Sequence, residues 1–290
     1  MKIVRFVDDD GTSTVGVMSG GELYVSRLKS ISAVLQLSAD EVESWAVATV
    51  SEANVLRRSA TLLTPIDGLT EVWAAGVTYR RSREARIEES SQSSVYELVY
   101  DADRPEIFFK SPSWRVVADG GALNIRNDSA LNVPEPELAV VVNKFGEQVG
   151  FCVCNDMSSR SLEAENPLYL PQAKIYDDSC SLSSAILIST DPSPEFDITM
   201  TIRRDGQDYW NATTSTASLA RTIPDLLWHL HSNLHFPDGV FLSTGTGLVP
   251  ELDFSLQADD DVQITIDSVG DLRNTIALRP GSPQTSVKTK

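Results

Sequence analysis

The sequence predicts an α+β protein that is mainly β, with a small N-terminal α/β domain over residues 1–66 and a larger β-rich domain over 67–280. Most apolar runs are about four to eight residues long, rich in β-branched side chains and bounded by turn residues, which is typical of strands. Segments with helical spacing are few. With 290 residues, the chain is long enough to bury a full core.

The N-terminal part contains three strand patterns, "KIVRFV", "TVGVMS" and "ELYVSR". A helix is predicted to follow, because Ser38 and Glu41 have the spacing of a capping box. The stretch "LLTPIDG" (62–68) contains Pro and Gly and is predicted to be a linker between the two domains.

The second part begins at "LTEVWAAGVTY" and continues as strand-length runs that include "GVFLST" and "DVQITID". One helix interrupts them, with Thr222 as its N-cap and Asp225 in its first turn. Its predicted buried stripe consists of Leu226, Leu227, Leu230 and Leu234. The polar tail, 281–290, is predicted to be flexible.

The charge balance excludes several classes of partner. The chain has 41 acidic and 24 basic residues, a net charge of −17, so a nucleic acid or an anionic membrane would be repelled. No apolar run approaches the ~20 residues of a membrane span. The segment "MKIVRFVDDD" lacks the apolar core of a signal peptide, and we expect a cytoplasmic protein.

The three cysteines, Cys152, Cys154 and Cys180, form no disulfide framework. Cys152 and Cys154 alternate within a strand pattern and share a face with Asp156. We interpret them as small buried core residues, because thiolates are poor partners for the hard cations that carboxylates bind.

The stretch "NVPEPELAVVV" (132–142) places two glutamates directly before an apolar run that is predicted to be a strand buried on both faces. Glu135 and Glu137 project side by side, because residues two apart in a strand point to the same face. "NKFGEQ" is predicted to be a hairpin turn. If Lys144 faces Glu147 across it, Asp156 lies opposite Glu135, with Cβ atoms ~5 Å apart.

This hairpin gathers three carboxylates in a small volume. Two unit charges ~5 Å apart repel by roughly 3 kcal/mol at an effective dielectric of about 20. A shared proton or a bound cation would relieve the repulsion, and oxygen ligands suit Mg²⁺, Mn²⁺ or Ca²⁺. A register slip by one residue would turn Asp156 away, and Pro136 favours a sheet edge or bulge nearby. The alternative is a set of surface acids in an acidic protein.

One further segment carries candidate ligands for a substrate, and two polar stretches are candidate loops over the site. "GVTYRRSREAR" holds four arginines, Arg80, Arg81, Arg83 and Arg86, which could receive a carboxylate. The alternative is an exposed helix with ion pairs such as Arg80 with Glu84. The polar stretches 80–104 and 160–173 are candidate loops over a site, or plain surface.

Several single residues have the chemistry of acids, bases or anion ligands. Glu106 in "PEIFFK" precedes two phenylalanines, so its pKa would be raised, and Lys110 ends that strand. Lys174 in "LPQAKIYDD" could act as a base if a divalent cation lay nearby.

"LSTGTGLVP" offers Thr244, Thr246 and the backbone N–H groups of its glycines, which can hold an anion. His231 and His235 have the spacing of a metal pair but lack a third ligand, so we interpret them as a solvated helix face.

The order and spacing of "PEPELAVVV", "NDMSSR", Lys174 and "LSTGTG" resemble the fumarylacetoacetate hydrolase family over residues 70–280. The resemblance implies a mixed β-roll for the catalytic domain. It also implies a Mg²⁺ ion, or Mn²⁺ or Ca²⁺ in its place, held by Glu135, Glu137 and Asp156.

"GVTYRRSREAR", "RPEIFFK" and "ENPLYLPQAKIYDDSC" are similar to a subgroup of that family, the 2-keto-3-deoxy-D-arabinonate dehydratases of oxidative pentose degradation. Hydrolases of the family usually carry a histidine at about the position of Ser82. The absence of that histidine here favours dehydration over hydrolysis. Many relatives also have Asp at the position of Ser161.

The resemblance implies a homodimer or larger homo-oligomer that converts 2-keto-3-deoxy-D-arabinonate, a pentonate derived from D-xylonate, to 2,5-dioxopentanoate (α-ketoglutarate semialdehyde). Lys174 is the candidate base for the C3 proton. Glu106 is the candidate acid for the 4-hydroxyl, and would later move a C5 proton to C4. The candidate substrate contacts are Tyr79, Arg80, Arg81, Lys110, Thr244 and Thr246.

Two alternatives use the same residues. The protein could be an acylpyruvate hydrolase or oxaloacetate decarboxylase of the same family, which substrate profiling distinguishes. A sugar-acid binding protein would bind the ligand without turnover, and the presence of all four candidate metal and base residues argues against it.

Overall fold

The computed structural model describes residues 1–52, 60–81, 84 and 99–278, and the backbone of 56–57. The predictions made for Ser82, Arg83, Arg86 and the tail 281–290 fall outside these residues, and so does most of the 80–104 stretch. They stay predictions.

The strands account for most of the regular structure. In chain order they are β1 (Lys2–Val7), β2 (Ser13–Ser19), β3 (Glu22–Val25), β4 (Leu56–Arg57), β5 (Leu62–Leu63), β6 (Glu71–Gly76), β7 (Glu106–Pro112), β8 (Ala122–Asn124), β9 (Asn132–Val133), β10 (Pro136–Val142), β11 (Gln148–Asp156), β12 (Ser158–Ser159), β13 (Cys180–Leu182), β14 (Ala185–Ile188), β15 (Asp197–Arg204), β16 (Gln207–Ser215), β17 (Val240–Ser243), β18 (Asp261–Ile266) and β19 (Gly270–Ala277).

The helices whose two ends both lie within the described residues have between 4 and 14 residues. They are α1 (Ile31–Val34), α2 (Ala39–Glu52), α3 (Arg160–Glu165), α4 (Leu170–Lys174) and α5 (Ile223–His231), with single 3₁₀ turns at Ser113–Arg115, Pro167–Tyr169 and Thr216–Ser218. Within the part of the chain that the structure describes, no helix is both long and apolar enough to cross a membrane. The prediction of a mainly β fold is confirmed.

Among the described residues, two large mixed sheets and a small two-stranded sheet of β9 and β12 form the β-structure. The larger has the order β4-β3-β2-β1-β14-β11-β10-β17-β6-β7, with β13 beside β11 and β5 beside β1. The smaller has the order β16-β15-β18-β19-β8. Most neighbours are antiparallel, but β17 runs parallel to β6 and β19 parallel to β8.

The strand β10 lies in the middle of the larger sheet and is buried on both faces, as predicted. Leu138, Val140 and Val142 belong to the main core, which the smaller sheet and α5 complete. Ala139 and Val141 point the other way, into a second core shared with α1 and α2. Alternation along one strand therefore divides its side chains between two cores.

The N-terminal strands extend the larger sheet, because β1 pairs with β14 and places Ile3 opposite Ile186. The predicted linker, 62–68, is not a free connection. It contains β5, which pairs with β1, and Asp67, whose carboxylate accepts hydrogen bonds of 2.9 Å from the N–H groups of Ile31 and Ser32. A domain division at residue 66 stays a prediction.

The two predicted helix caps are confirmed. Ser38 N donates to the Glu41 carboxylate at 2.8 Å, and Glu41 N donates to the Ser38 hydroxyl at 3.3 Å. Thr222 accepts from Asp225 N at 3.2 Å at the start of α5. The inclusion of Leu234 in the buried stripe was wrong, because α5 ends at His231 and Leu234 is exposed.

Candidate active site

The hairpin of β10 and β11 brings Glu135, Glu137 and Asp156 together. β11 follows the turn with Cys154 opposite Glu137, and Asp156 N donates to Glu135 O at 2.9 Å. One carboxylate oxygen from each residue lies within 4.8 Å of the other two, and all three side chains are buried. The predicted cluster is therefore present, and its members are not surface acids.

The register at the cluster agrees with the prediction, although the path through the turn does not. Asn143 N donates to Glu147 O at 3.0 Å, so Lys144 is not the residue that faces Glu147. A register shift between Val141 and Val142 then restores the predicted pairing further along. The irregularity lies there rather than at Pro136, which begins β10 beyond the residues that pair with β17 and so needs no N–H.

Two buried lysines offset the negative charge of the cluster. The Lys174 amine donates to Glu135 at 2.6 Å, to Asp156 at 3.0 Å and to the Ser158 hydroxyl at 2.5 Å. Lys110 approaches Asp156 from another side and donates to two backbone carbonyls, Met157 O at 2.8 Å and Lys174 O at 2.6 Å. Asp156 thus lies between two cations that hold its carboxylate in place.

Glu137 is held by the last residue of β17 and by the loop that follows this strand. The Ser243 hydroxyl donates to its carboxylate at 2.5 Å and Gly245 N donates at 2.8 Å. Gly245 has φ of +93°, and a side chain there would overlap Thr78. The anion that this loop demonstrably holds is therefore a carboxylate of the chain itself.

The predicted substrate ligands of this loop already have backbone partners. The Thr244 hydroxyl donates to Leu138 O at 2.9 Å. The Thr246 hydroxyl accepts from Leu248 N at 3.1 Å. Both threonines are buried, and their role toward a substrate stays a prediction.

The electrostatics of the cluster favour a bound cation. Burial, followed by the nearby Asp156 and Glu135 carboxylates, raises the pKa of Glu137 to about 8. A hard divalent cation would remove this repulsion, and three carboxylate oxygens are the ligands that Mg²⁺, Mn²⁺ or Ca²⁺ prefers. The residues present fit such an ion.

Beside the cluster, a pocket of about 390 Å³ opens to the surface. It is lined by Tyr79, Arg80, Arg81, Glu84, Thr214, Ser218 and Gly247. Tyr79 is buried at the wall of this pocket, and burial, with a further contribution from Glu137, raises the pKa of its hydroxyl. The predicted exposed ion pair of Arg80 with Glu84 is present at 3.0 Å.

Glu106 begins β7 opposite Gly76. Its carboxylate occupies the space that a Cβ at position 76 would fill, so glycine is required for this approach. Its role as an acid stays a prediction.

The structure adds residues that sequence reasoning missed. Glu163, on α3, is buried with a carboxylate oxygen 3.7 Å from the Lys174 amine. The Ser158 hydroxyl contacts the same amine. Tyr176 follows Lys174 by two positions in the chain. Only their proximity to Lys174 and Asp156 in the chain could have suggested them.

The remaining candidates have structural partners. Ser161 hydrogen-bonds Ser129 at 2.7 Å. Cys152, Cys154 and Cys180 are free and buried, which confirms their interpretation as core residues. Of the described residues, only the three carboxylates form a cluster that could hold a metal ion, and His231 instead contacts Leu227 O at 3.0 Å.

Comparison with known proteins agrees with this geometry. The family model described as fumarylacetoacetate (FAA) hydrolase C-terminal matches residues 71–277. A probable 2-keto-3-deoxyxylonate dehydratase of Haloferax volcanii is 41% identical over 91% of this chain and 92% of its own length. A 2-dehydro-3-deoxy-D-arabinonate dehydratase of Saccharolobus solfataricus is 41% identical over 74% of each chain.

A solved structure has the same fold. It is a 2-keto-3-deoxy-D-arabinonate dehydratase complexed with magnesium and 2,5-dioxopentanoate, with a TM-score of 0.80 and 32% identity over 96% of this chain and 99% of its own. The chain belongs to the fumarylacetoacetate hydrolase family.

Proposed function

We propose that the protein is a metal-dependent dehydratase that converts 2-keto-3-deoxy-D-arabinonate to 2,5-dioxopentanoate. The observation that carries this proposal is the buried cluster of Glu135, Glu137 and Asp156 with Lys174 hydrogen-bonded to it. A relative with 32% identity over nearly the whole chain is complexed with magnesium and the product of this reaction.

The reaction removes one water. A C3 proton and the 4-hydroxyl leave, and proton shifts along C3 to C5 then convert the terminal carbon to the aldehyde. Glu135, Glu137 and Asp156 would hold Mg²⁺, with Mn²⁺ or Ca²⁺ as possible substitutes. When bound, the cation supplies positive charge that stabilises the negative charge developing on the 2-keto oxygen.

Lys174 would accept the C3 proton. Its amine is buried and is held by Glu135, Asp156 and Ser158, so its position beside the cation site is defined. With no metal bound, this amine carries a positive charge and uses its protons in these three hydrogen bonds. A bound cation would take over the Glu135 and Asp156 carboxylates and lower the proton affinity of Lys174, which would leave a lone pair free to accept the C3 proton. Removal of the amine should therefore affect proton transfer before it affects folding of the hairpin.

Glu106 would protonate the departing 4-hydroxyl. Tyr79, Arg80 and Arg81 line the pocket beside the cluster, and the two arginines would attract the anionic substrate to a protein with a net charge of −17. Thr244 and Thr246 would shape the inner wall of the site. Lys110 is a predicted substrate contact, but its amine contacts Asp156 and two backbone carbonyls, so it would hold the Asp156 carboxylate in position.

The reaction is tested with purified protein, Mg²⁺ and racemic 2-keto-3-deoxypentonate, following 2,5-dioxopentanoate with an aldehyde dehydrogenase, with and without EDTA. We expect product only when the metal is present. Acylpyruvate and oxaloacetate serve as parallel substrates. Cleavage of an acylpyruvate or decarboxylation of oxaloacetate, without dehydration, would refute the proposal and favour the alternative activity.

The role of Lys174 is tested separately. Lys174→Met should reduce turnover by about 10²- to 10⁴-fold and abolish exchange of the C3 protons with D₂O, measured by NMR. Retained C3 exchange in this variant would exclude Lys174 as the base.

The binding-protein alternative is tested on the wild-type protein. Binding of the keto acid without turnover would indicate a sugar-acid binding protein.

We also propose that the protein forms a homodimer or larger homo-oligomer in the cytoplasm. Trp228 and Phe145 are 67% and 58% exposed and line one groove, and an exposed apolar surface of this kind supports self-association. Light scattering coupled to size exclusion tests the assembly, and a monomeric mass would refute it.

The cytoplasmic location is supported by the cysteines. Cys154 and Cys180 are free, as expected for a protein in a reducing compartment.

A further inference from the structure

The hydroxyl of Tyr176 is buried and has no hydrogen-bond partner among the described residues. Buried polar groups in native proteins nearly always have a partner, because leaving one unpaired loses its hydration without compensation. A phenylalanine would fill the same space without that loss. We therefore expect the hydroxyl of Tyr176 to form a hydrogen bond with a ligand that binds to the folded protein.

Tyr176 lies at the candidate active site. It follows Lys174 by two positions, and the loop between them is held in place by Ser179, whose hydroxyl accepts from Tyr176 N at 3.3 Å and donates to Lys174 O at 2.9 Å. The guanidinium of Arg126 lies 5.6 Å from the centre of the Tyr176 ring. The side chain is thus positioned by its backbone and by packing, and not by its hydroxyl.

The electrostatic surroundings define what this hydroxyl can do. Burial and then the nearby Asp156 carboxylate raise the pKa of Tyr176, with smaller opposing contributions from Lys174 and Arg126. The hydroxyl therefore stays protonated and can donate a hydrogen bond. An oxygen-rich anionic ligand next to the carboxylate cluster would supply the acceptor.

We propose that the Tyr176 hydroxyl contacts the substrate and donates a hydrogen bond to an oxygen of the bound 2-keto acid. This inference rests on the proposed function, because it takes the keto acid to bind at the cluster of Glu135, Glu137 and Asp156. It assigns a binding residue that neither the sequence pattern nor the metal ligands indicate.

The matched variants are Tyr176→Phe and Tyr209→Phe, each of which removes one hydroxyl from the full-length protein. Tyr209 is 56% exposed on β16 and serves as the control. For Tyr176→Phe we expect kcat/KM for racemic 2-keto-3-deoxypentonate to fall by at least about tenfold. The Tm should stay equal or rise, and Mn²⁺ affinity measured by calorimetry should stay unchanged. Tyr209→Phe should match the wild-type protein in all three.

Two results would overturn the inference while the proposed function stands. One is a Tyr176→Phe enzyme with kcat/KM equal to that of the wild-type enzyme. The other is a loss of activity that is accompanied by a lower Tm or a lower Mn²⁺ affinity, because the hydroxyl would then be structural.

A binding measurement separates this inference from the proposed reaction. Calorimetry with the same keto acid and Mg²⁺ compares the wild-type protein with Tyr176→Phe, using the Lys174→Met background if turnover occurs. Weaker binding by the Phe variant supports the contact even if no 2,5-dioxopentanoate forms. A wild-type protein that neither binds nor converts the keto acid would overturn both proposals.

Discussion

The Lys174 amine lies 3.7 Å from Oε1 of Glu163, and both side chains are buried. Glu163 is on α3, whereas Lys174 ends α4, so the contact ties two short helices together at the candidate active site. It supplies Lys174 with a carboxylate that does not belong to the predicted metal cluster. The amine is therefore held from two sides.

We expect Glu163→Gln to lower kcat by roughly tenfold with little change in KM, since the substitution removes a charge that positions Lys174 and leaves the binding pocket intact. Glu165→Gln is the matched control, because Glu165 lies on the same helix but is exposed. Steady-state kinetics of both variants test this. An equal loss of activity in both would contradict it.

Metal affinity should depend on pH. The pKa of Glu137 is raised to about 8, so a proton competes with the metal for this carboxylate below that pH. For one proton, Mg²⁺ affinity should fall by up to about tenfold per pH unit as the pH decreases below this value. Calorimetric titration at about pH 6 and about pH 9 measures the change. Equal affinities at the two pH values would argue that Glu137 is not a ligand.

The stability of the metal-free protein should change with pH in the opposite sense. Because the folded pKa of Glu137 is raised from 4.5 to about 8, its contribution to stability is fully present below pH 4.5 and is lost as the pH rises through about 8. In EDTA, the Tm of the wild-type protein should fall over this range relative to that of Glu137→Gln. Parallel Tm curves for the two proteins would show that Glu137 does not contribute, and added Mg²⁺ should restore the wild-type Tm at high pH.

Lys110 should matter for folding. Its fully buried amine contacts Asp156 and two backbone carbonyls, so Lys110→Met would leave these buried groups without their cation. We expect the free energy of unfolding to fall by about 3–5 kcal/mol in urea denaturation. Lys144→Met, at an exposed lysine, should change it by less than about 0.5 kcal/mol. Unchanged stability of Lys110→Met would contradict this expectation.

Local patterns in the sequence predicted the elements that depend on near neighbours. The capping box of Ser38 and Glu41, the N-cap Thr222 and the buried run Leu138–Val142 each follow from residues a few positions apart. The carboxylate cluster was also predictable, because a hairpin brings nearby segments of chain into register. Even there, the turn was predicted incorrectly and the bulge at Val141 and Val142 compensated for it.

Contacts across long stretches of chain were decided by the tertiary structure. Lys174 is 39 positions from Glu135, and the Lys110 amine reaches Met157 O across 47 positions. No local pattern specifies such pairs, because they arise when strands and helices that are far apart in the chain pack together. The strand pairing of residues 62–63 was missed for the same reason.

By itself, the sequence determined the family, the mainly β fold and the three carboxylates. Sequence motifs indicate the family and the carboxylates, and the short apolar runs and the alternation of side chains predict the strands. The tertiary structure alone decided which cations, hydroxyls and loops surround those carboxylates. Those partners come from β7, β12, β17, α3 and α4, which are far apart in the chain and come together only when the sheets and helices pack around β10.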